Sequence, residues 1–173
     1  IDVRPEHLQS LIAILQKAGL PLEISGERVT LHSGGSFKAV KLLETEPYPG
    51  FPTDLQPPVV SLLTLARGVS TIVEHVFPER FHHVAELNKM GARISLQGNR
   101  IIIRGVARLS GGIVNATDLR AGAALVLAGL AARGETLVTG IRHIERGYEK
   151  IHKVMNQLGA RIERVSLSVQ EAP

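Results

Sequence analysis

Cysteine and tryptophan are absent from these 173 residues, and aromatic residues make up only 3% of them. Without Cys there is no disulfide framework and no zinc ribbon, and secretion gains no support. No apolar run approaches the ~20 residues a helix needs to span a bilayer. The opening Ile1-Asp2-Val3-Arg4-Pro5 carries neither an initiator Met nor a signal-peptide pattern, so the chain is expected to be a cut from a longer, cytoplasmic protein with no membrane association. No G-x-G-x-x-G, P-loop, H-E-x-x-H or Ser-centred elbow occurs. The adjacent His82 and His83 would point to different sides of a helix and make a poor metal pair, so both are expected to be satisfied or solvated. His143 is read the same way. No metal and no cofactor is expected.

What is present is an ordinary globular composition, 44% hydrophobic and 21% charged. That is enough for one domain with a full core or two very small ones. The net charge of +4 suits an anionic ligand of any kind. Nucleic acid is an unlikely partner, because the basic residues are scattered and no aromatics interleave with them.

Hydrophobic periodicity predicts a helix from Pro5 to Lys17 with Leu8, Leu11, Ile12 and Leu15 as its apolar stripe. Short strands follow at Leu22–Ile24 and Val29–Leu31, with a further one between Lys38 and Leu43. Helices are expected from Thr53 to about Ala66, from His83 to Met90, from Ala121 to Ala132 and from Ile151 to Leu158. Strands are expected at Thr71–Val73, Ile94–Leu96, Ile101–Ile103, Gly112–Val114, Thr136–Val138, Ile162–Val165 and Leu167–Val169.

These elements repeat at about 64–72 residues. Gly19, Gly91 and Gly159 close three equivalent helices, and Gly26-Glu27-Arg28 and Gly98-Asn99-Arg100 turn two equivalent hairpins. The expected organisation is a single domain over residues 1–173, with units near 1–50, 51–115 and 116–173. Mixed sheets with helices on one side fit this α/β pattern. The first unit lacks its first helix and strand, so the isolated chain is expected to expose apolar area and to self-associate.

Two stretches echo each other: Phe51-Pro52-Thr53-Asp54-Leu55-Gln56 and Asn115-Ala116-Thr117-Asp118-Leu119-Arg120. Each Thr is a good N-cap and each Asp suits the positive end of a helix dipole; Thr53 and Gln56 have capping-box spacing. Such an Asp can simply open a helix. With Arg80 and Arg146 before the following helices, and Arg120 beside Asp118, the repeat would also gather two carboxylates and three guanidiniums at one end of the domain. That surface binds phosphate or carboxylate, and an ionised carboxylate in it can act as a base toward a hydroxyl. The same Asp–Arg pairs could instead stitch the repeats together.

Four stretches closely resemble the UDP-N-acetylglucosamine 1-carboxyvinyltransferase family of enolpyruvyltransferases. They are Phe51 to Gln56, Glu79-Arg80-Phe81 through Met90-Gly91-Ala92, Ala116 to Ala121, and His143-Ile144-Glu145-Arg146-Gly147-Tyr148-Glu149. Motif order and spacing are kept along essentially the whole chain, which looks like the C-terminal part of such a protein. The resemblance implies an inside-out α/β barrel of β-α-β-α-β-β units that meets a second, N-terminal domain. It implies transfer of enolpyruvyl from phosphoenolpyruvate to the 3-hydroxyl of UDP-N-acetylglucosamine, an early step of peptidoglycan synthesis, and an isolated chain without activity. By motif match Asp54 corresponds to the proposed base, and Val76 to a backbone contact of the nucleotide sugar. Arg80, Asp118, Arg120 and Arg146 correspond to residues handling anionic groups and the transfer. An enolpyruvylshikimate-phosphate synthase-like transferase and a basic RNA-binding module of similar fold are the alternatives. Pro57-Pro58 depart from the family pattern, and the helix after Asp54 is expected to start late or kink.

Overall fold

Isoleucine and valine at alternate positions build the central sheet. The computed structural model describes residues 3–32 and 34–166. Its elements begin with α1 (Gln9–Lys17), β1 (Leu22–Ser25), β2 (Arg28–Leu31), β3 (Leu42–Glu44), α2 (Gln56–Leu63), β4 (Val69–Val73) and α3 (His82–Lys89). They continue with β5 (Arg93–Gln97), β6 (Arg100–Arg104), β7 (Ile113–Asn115), α4 (Leu119–Ala131), β8 (Leu137–Thr139), α5 (Arg142–Glu145) and α6 (Ile151–Gln157). On β4 and β6 the side chains of Ile72, Ile101 and Ile103 are fully buried, while Arg100 and Arg104 at the ends of β6 stay exposed. The period of two puts one face on the core, and β-branched residues suit that pleated surface.

The central sheet runs β3-β4-β6-β5, with β3 parallel to β4 and the other pairs antiparallel. β1 and β2 form a separate hairpin, and β7 lies parallel to β8. The parallel pairs need crossovers, which α2 and α4 supply. Those two helices pack on each other, and Ser61 Oγ donates to the Ala124 carbonyl at 2.8 Å. Ala121, Gly122, Ala123 and Ala124 are buried in α4, and their small size allows the close approach. Val59, Val60, Leu63, Leu87 and Leu125 fill the main core with the sheet isoleucines.

From Leu42 to Arg104 the order is β-α-β-α-β-β. β7, α4, β8, α5 and α6 repeat the first part of that order. An asparagine marks the repeat in the structure. Asn88 bonds both backbone groups of Ile94, at 2.9 and 3.0 Å, and Asn156 does the same to Ile162, at 2.8 and 3.0 Å. Gly26 and Gly98 turn the two hairpins at φ +56° and +60°, a region that costs a side chain energy but not glycine.

Several expectations are corrected. Pro5–Leu8 is a 3-10 turn, and α1 begins only at Gln9. The strand expected over 38–43 is confined to β3, with an isolated bridge at Lys38. The helix expected from Ile151 to Leu158 is α6, but the stretch leading into it holds a short helix of its own, α5, with Lys150 left-handed between the two. Ile162–Val165 pairs with no strand among the described residues, and Leu167–Val169 lies outside them. The expected apolar stripe of the first helix is in part covered. Ile12 and Ile14 are buried, and Ile14 and Ala18 join the main core.

Candidate functional site

Pro52 is extended and delivers the chain into a 3-10 turn over Thr53–Leu55. α2 then starts at Gln56, with Pro57 and Pro58 in its first turn. Proline is tolerated there because a first-turn N–H has no partner within the helix. The late start was legible in the two prolines, but the capping box that the Thr53–Gln56 spacing suggests does not form. Neither helical segment has a side-chain cap bond. The Gln56 N–H goes to the Thr53 carbonyl, the Thr53 hydroxyl is used elsewhere, and the fully buried Gln56 amide has no partner among the described residues.

Freed from capping, Asp54 faces two arginines. Its Oδ1 accepts from Arg80 Nη1 at 2.7 Å and from Arg120 Nε at 3.0 Å, and its Oδ2 accepts from Arg120 Nη2 at 2.8 Å. The Arg120 fork is bidentate, a geometry that Lys cannot copy. The hydrogen bond from Arg120, aided by its charge and by Arg80, holds the Asp54 carboxyl below the ordinary carboxylate range despite partial desolvation. The reciprocal bond raises Arg120. The Asp54 side chain remains 55% exposed, so a ligand can reach it. Arg80 is more enclosed. Its guanidinium lies 4.2 Å from the centre of the Phe77 ring, a cation–π contact, and Nη1 also donates to Thr53 Oγ1 at 3.0 Å.

Asp118 does different work. It is the N-cap of α4, and its Oδ1 accepts from the N–H groups of Arg120 and Ala121, each at 2.9 Å. The expected first-turn placement behind a Thr117 cap is therefore shifted by one residue. The expected pairing of Asp118 with Arg146 is not found among the described residues; Asp118 Oδ1 serves the helix N–H groups instead. Asp118 instead steadies the backbone of Arg120, whose side chain crosses to Asp54. Arg146 is exposed at the end of α5. Its segment lies close to α4 all the same. A Cβ on Gly147 would meet Leu119 Cδ2 at 2.6 Å, and one on Gly122 would run into Ile144 Cγ1. Glycine at these positions lets the start of α4 and the end of α5 approach. The Val76 N–H donates to Glu74 Oε1 at 2.9 Å, so its carbonyl is the backbone group it can offer a ligand.

Three buried polar residues escaped sequence reasoning. Glu74 is fully buried and hydrogen-bonded on both oxygens. Its only sequence signal is a carboxylate at the end of an apolar strand. Gln56 is noted above. His83, expected to be satisfied or solvated, is 1% exposed, and its Nε2 has no partner among the described residues. Burial pushes its pKa down to about 4, opposed by the negative charge of Asp118. Among the described residues no group of three or more His, Asp or Glu side chains is placed to hold a metal ion, and no helix is long and apolar enough to cross a membrane.

Comparison with known proteins puts this geometry in a family. The chain is 49% identical over 164 residues to the UDP-N-acetylglucosamine 1-carboxyvinyltransferase of Clostridium botulinum, covering 95% of this chain and 39% of that protein. It is 46% identical over 165 residues to the protein of that name from Gluconacetobacter diazotrophicus, with the same coverage. The chain thus spans well under half the length of these curated relatives. Among solved structures, the enolpyruvyl transferase NikO from Streptomyces tendae matches with a TM-score of 0.84 and 28% identity, over 93% of this chain and 37% of that one. EPSP synthase from Acinetobacter baumannii matches with a TM-score of 0.60 at 20% identity, over 80% of this chain and 34% of that one, a likeness of fold alone. The mixed α/β architecture is accordingly of the enolpyruvyltransferase type. The family model for EPSP synthase (3-phosphoshikimate 1-carboxyvinyltransferase) matches residues 1–155, and with most of its length so matched the chain belongs to that enolpyruvyltransferase family.

Proposed function

We propose that this chain is the C-terminal part of a UDP-N-acetylglucosamine 1-carboxyvinyltransferase. In that reading residues 1–173 form one domain, with units near 1–50, 51–115 and 116–173, against which an N-terminal domain closes over the substrates. The transfer joins the sugar's 3-hydroxyl oxygen to the enolpyruvyl carbon of phosphoenolpyruvate, breaks that carbon's bond to the phosphate oxygen, and releases phosphate. The hydroxyl proton needs an acceptor, and Asp54 is that base. Peptidoglycan precursor synthesis in the cytoplasm goes with this reading.

The observation that carries it is the Asp54 carboxylate held between Arg80 and Arg120. Here Asp54 occupies the place of an anion on both guanidiniums. Its depressed pKa makes it a weak base in that state. A phosphate or carboxylate arriving at Arg80 and Arg120 competes for the same donors. The carboxylate then loses stabilising hydrogen bonds, and its basicity rises where a hydroxyl proton has to leave. Val76 supplies its carbonyl to the nucleotide sugar, and Arg146 adds charge at the edge. Asp118 takes part by placing Arg120.

The relatives at 46–49% identity favour UDP-N-acetylglucosamine over shikimate 3-phosphate as the acceptor. An RNA-binding face is disfavoured, because a carboxylate sits at the centre of the cationic cluster. The test is phosphate release by the full-length protein from phosphoenolpyruvate, with each acceptor in turn. Turnover with UDP-N-acetylglucosamine is expected. Turnover with shikimate 3-phosphate alone, or with neither acceptor, would sink the proposal.

A further inference from the structure

Glu74 follows the last residue of β4 and is fully buried. Its Oε1 accepts from the Thr45 hydroxyl at 2.6 Å, from the Val76 N–H at 2.9 Å and from the Phe77 N–H at 3.0 Å. Its Oε2 accepts from the Thr53 hydroxyl at 3.0 Å. The Thr53 oxygen in turn accepts from Arg80 Nη1 at 3.0 Å, and that nitrogen also donates to Asp54 at 2.7 Å. A hydroxyl has one proton to give. With the Thr53 proton committed to Glu74, the Thr53 lone pairs face Arg80. The chain of donors has one direction, from Arg80 to Thr53 to Glu74.

We propose that Glu74 is a positioning residue of the transfer site: it orients the Thr53 hydroxyl and through it seats the Arg80 guanidinium against Asp54. This deepens the transferase reading and rests on it. Glu74 touches no reacting group itself. Its buried carboxylate supplies acceptors only, and that property sets the polarity of the relay.

Glu74→Gln keeps the size and reverses one polarity. Two of the donors on Oε1 are backbone N–H groups that cannot turn away, so the amide oxygen has to take that place. The amide NH2 then faces Thr53, whose hydroxyl has to accept from it, and the hydroxyl proton released from Glu74 competes with Arg80 for the remaining directions around that oxygen. The lone pairs of Thr53 are then no longer reserved for Arg80, and the guanidinium is held less firmly.

The experiment compares full-length wild type with Glu74→Gln, Thr53→Val, Thr53→Ser and the double variant Glu74→Gln/Thr53→Val. Steady-state kinetics use UDP-N-acetylglucosamine and phosphoenolpyruvate, and thermal unfolding checks each fold. Glu74→Gln and Thr53→Val should each lower kcat/KM by about 10- to 100-fold, the scale of one hydrogen bond to a charged group. The double variant should fall within about twofold of Thr53→Val alone, since both changes break the same relay. Thr53→Ser keeps the hydroxyl and should recover most of the loss. Losses that multiply in the double variant, wild-type kinetics in Thr53→Val, or a Thr53→Ser as poor as Thr53→Val would each overturn the relay. The two Thr53 variants decide the matter even if Glu74→Gln does not fold. A wild type without turnover overturns the transferase reading instead. The relay is then read by crystallography of the Thr53→Val and Glu74→Gln variants: Arg80 withdrawn from residue 53 and from Asp54 supports it, and Arg80 unmoved overturns it.

Discussion

At residues 53–55 Thr-Asp-Leu forms a 3-10 turn ahead of α2, and at 117–119 the same tripeptide runs straight into α4. Asp118 finds backbone donors two and three residues ahead, at Arg120 and Ala121, and its carboxylate caps the helix. At the same offsets from Asp54 stand Gln56, whose N–H is taken by the Thr53 carbonyl, and Pro57, which has no N–H. The first carboxylate is left to side chains, and Arg80 and Arg120 reach it. One tripeptide thus yields a helix cap in one place and a charged, ligand-accessible centre in the other. The difference lies in the donors within reach.

The largest effect should come from the exposed member of the pair. In the full-length protein Asp54→Asn keeps the size of the side chain and removes the proposed base. Turnover should fall by a factor on the order of 10²–10⁴, with nucleotide-sugar affinity changed far less. Asp118→Asn, which still caps, should leave most of the turnover in place. Equal losses in the two variants would erase the distinction.

The next effect separates Asp54 from the buried His83 by pH. Unfolded, His83 takes a proton near the ordinary histidine pKa of 6.5; folded, burial delays this to about 4. Its contribution to stability is therefore complete above the unfolded value and is lost as pH falls from there to about 4. The loss is on the order of 3 kcal/mol. The Asp54–arginine pairing behaves otherwise. Its carboxyl is depressed, so that contribution is present at neutral pH and is lost only below the ordinary carboxylate range. Denaturant unfolding of the chain at several pH values should show the upper window vanish in His83→Gln and the lower one vanish in Asp54→Asn. An unchanged pH profile in His83→Gln would assign the upper window to another group.

Smaller still is the cap itself. Asp118→Ala should cost about 1 kcal/mol of stability, the usual worth of an N-cap, read from the denaturation midpoint at constant slope. Smallest is Pro57→Ala, which restores a donor at the offset where Asp118 has one. Stability should drop by less than about 1 kcal/mol through the freer unfolded chain. Asp54 should stay with its arginines, because charge-assisted bonds outweigh a neutral N–H. A crystal structure showing Asp54 turned onto residue 57 would make the missing donor the whole cause.

Much of the architecture was open to reading because it is local. Helical stripes, the Gly26 and Gly98 hairpins and the glycine stops follow from periods of 3.6 and 2 and from backbone sterics. The repeat was visible in Gly19, Gly91 and Gly159 and in the paired hairpin turns. The Asn88 and Asn156 clamps that serve it went unseen, since each spans six residues to backbone groups whose position the fold decides. The capping box at Thr53 failed for a related reason: local spacing was right, but Glu74 and Arg80 compete for the hydroxyl from far along the chain.

By itself the sequence determined which charged groups stand in the repeated motifs. Asp54, Arg80 and Arg120 stand in motifs that resemble those of enolpyruvyltransferases, and Pro57 denies a backbone donor to Asp54 whatever the fold. Only the tertiary structure decided which groups meet. Arg120 crosses 66 residues of sequence to Asp54 rather than pairing nearby, and Asp118 is consumed by its own helix. Glu74, Gln56 and His83 are sealed in the interior, where an acceptor is filled or an amide left unpaired. Periodicity constrains a chain over a turn or two of helix. Ion pairs and buried polar networks depend on positions set by the whole core, and those are not written in any short stretch.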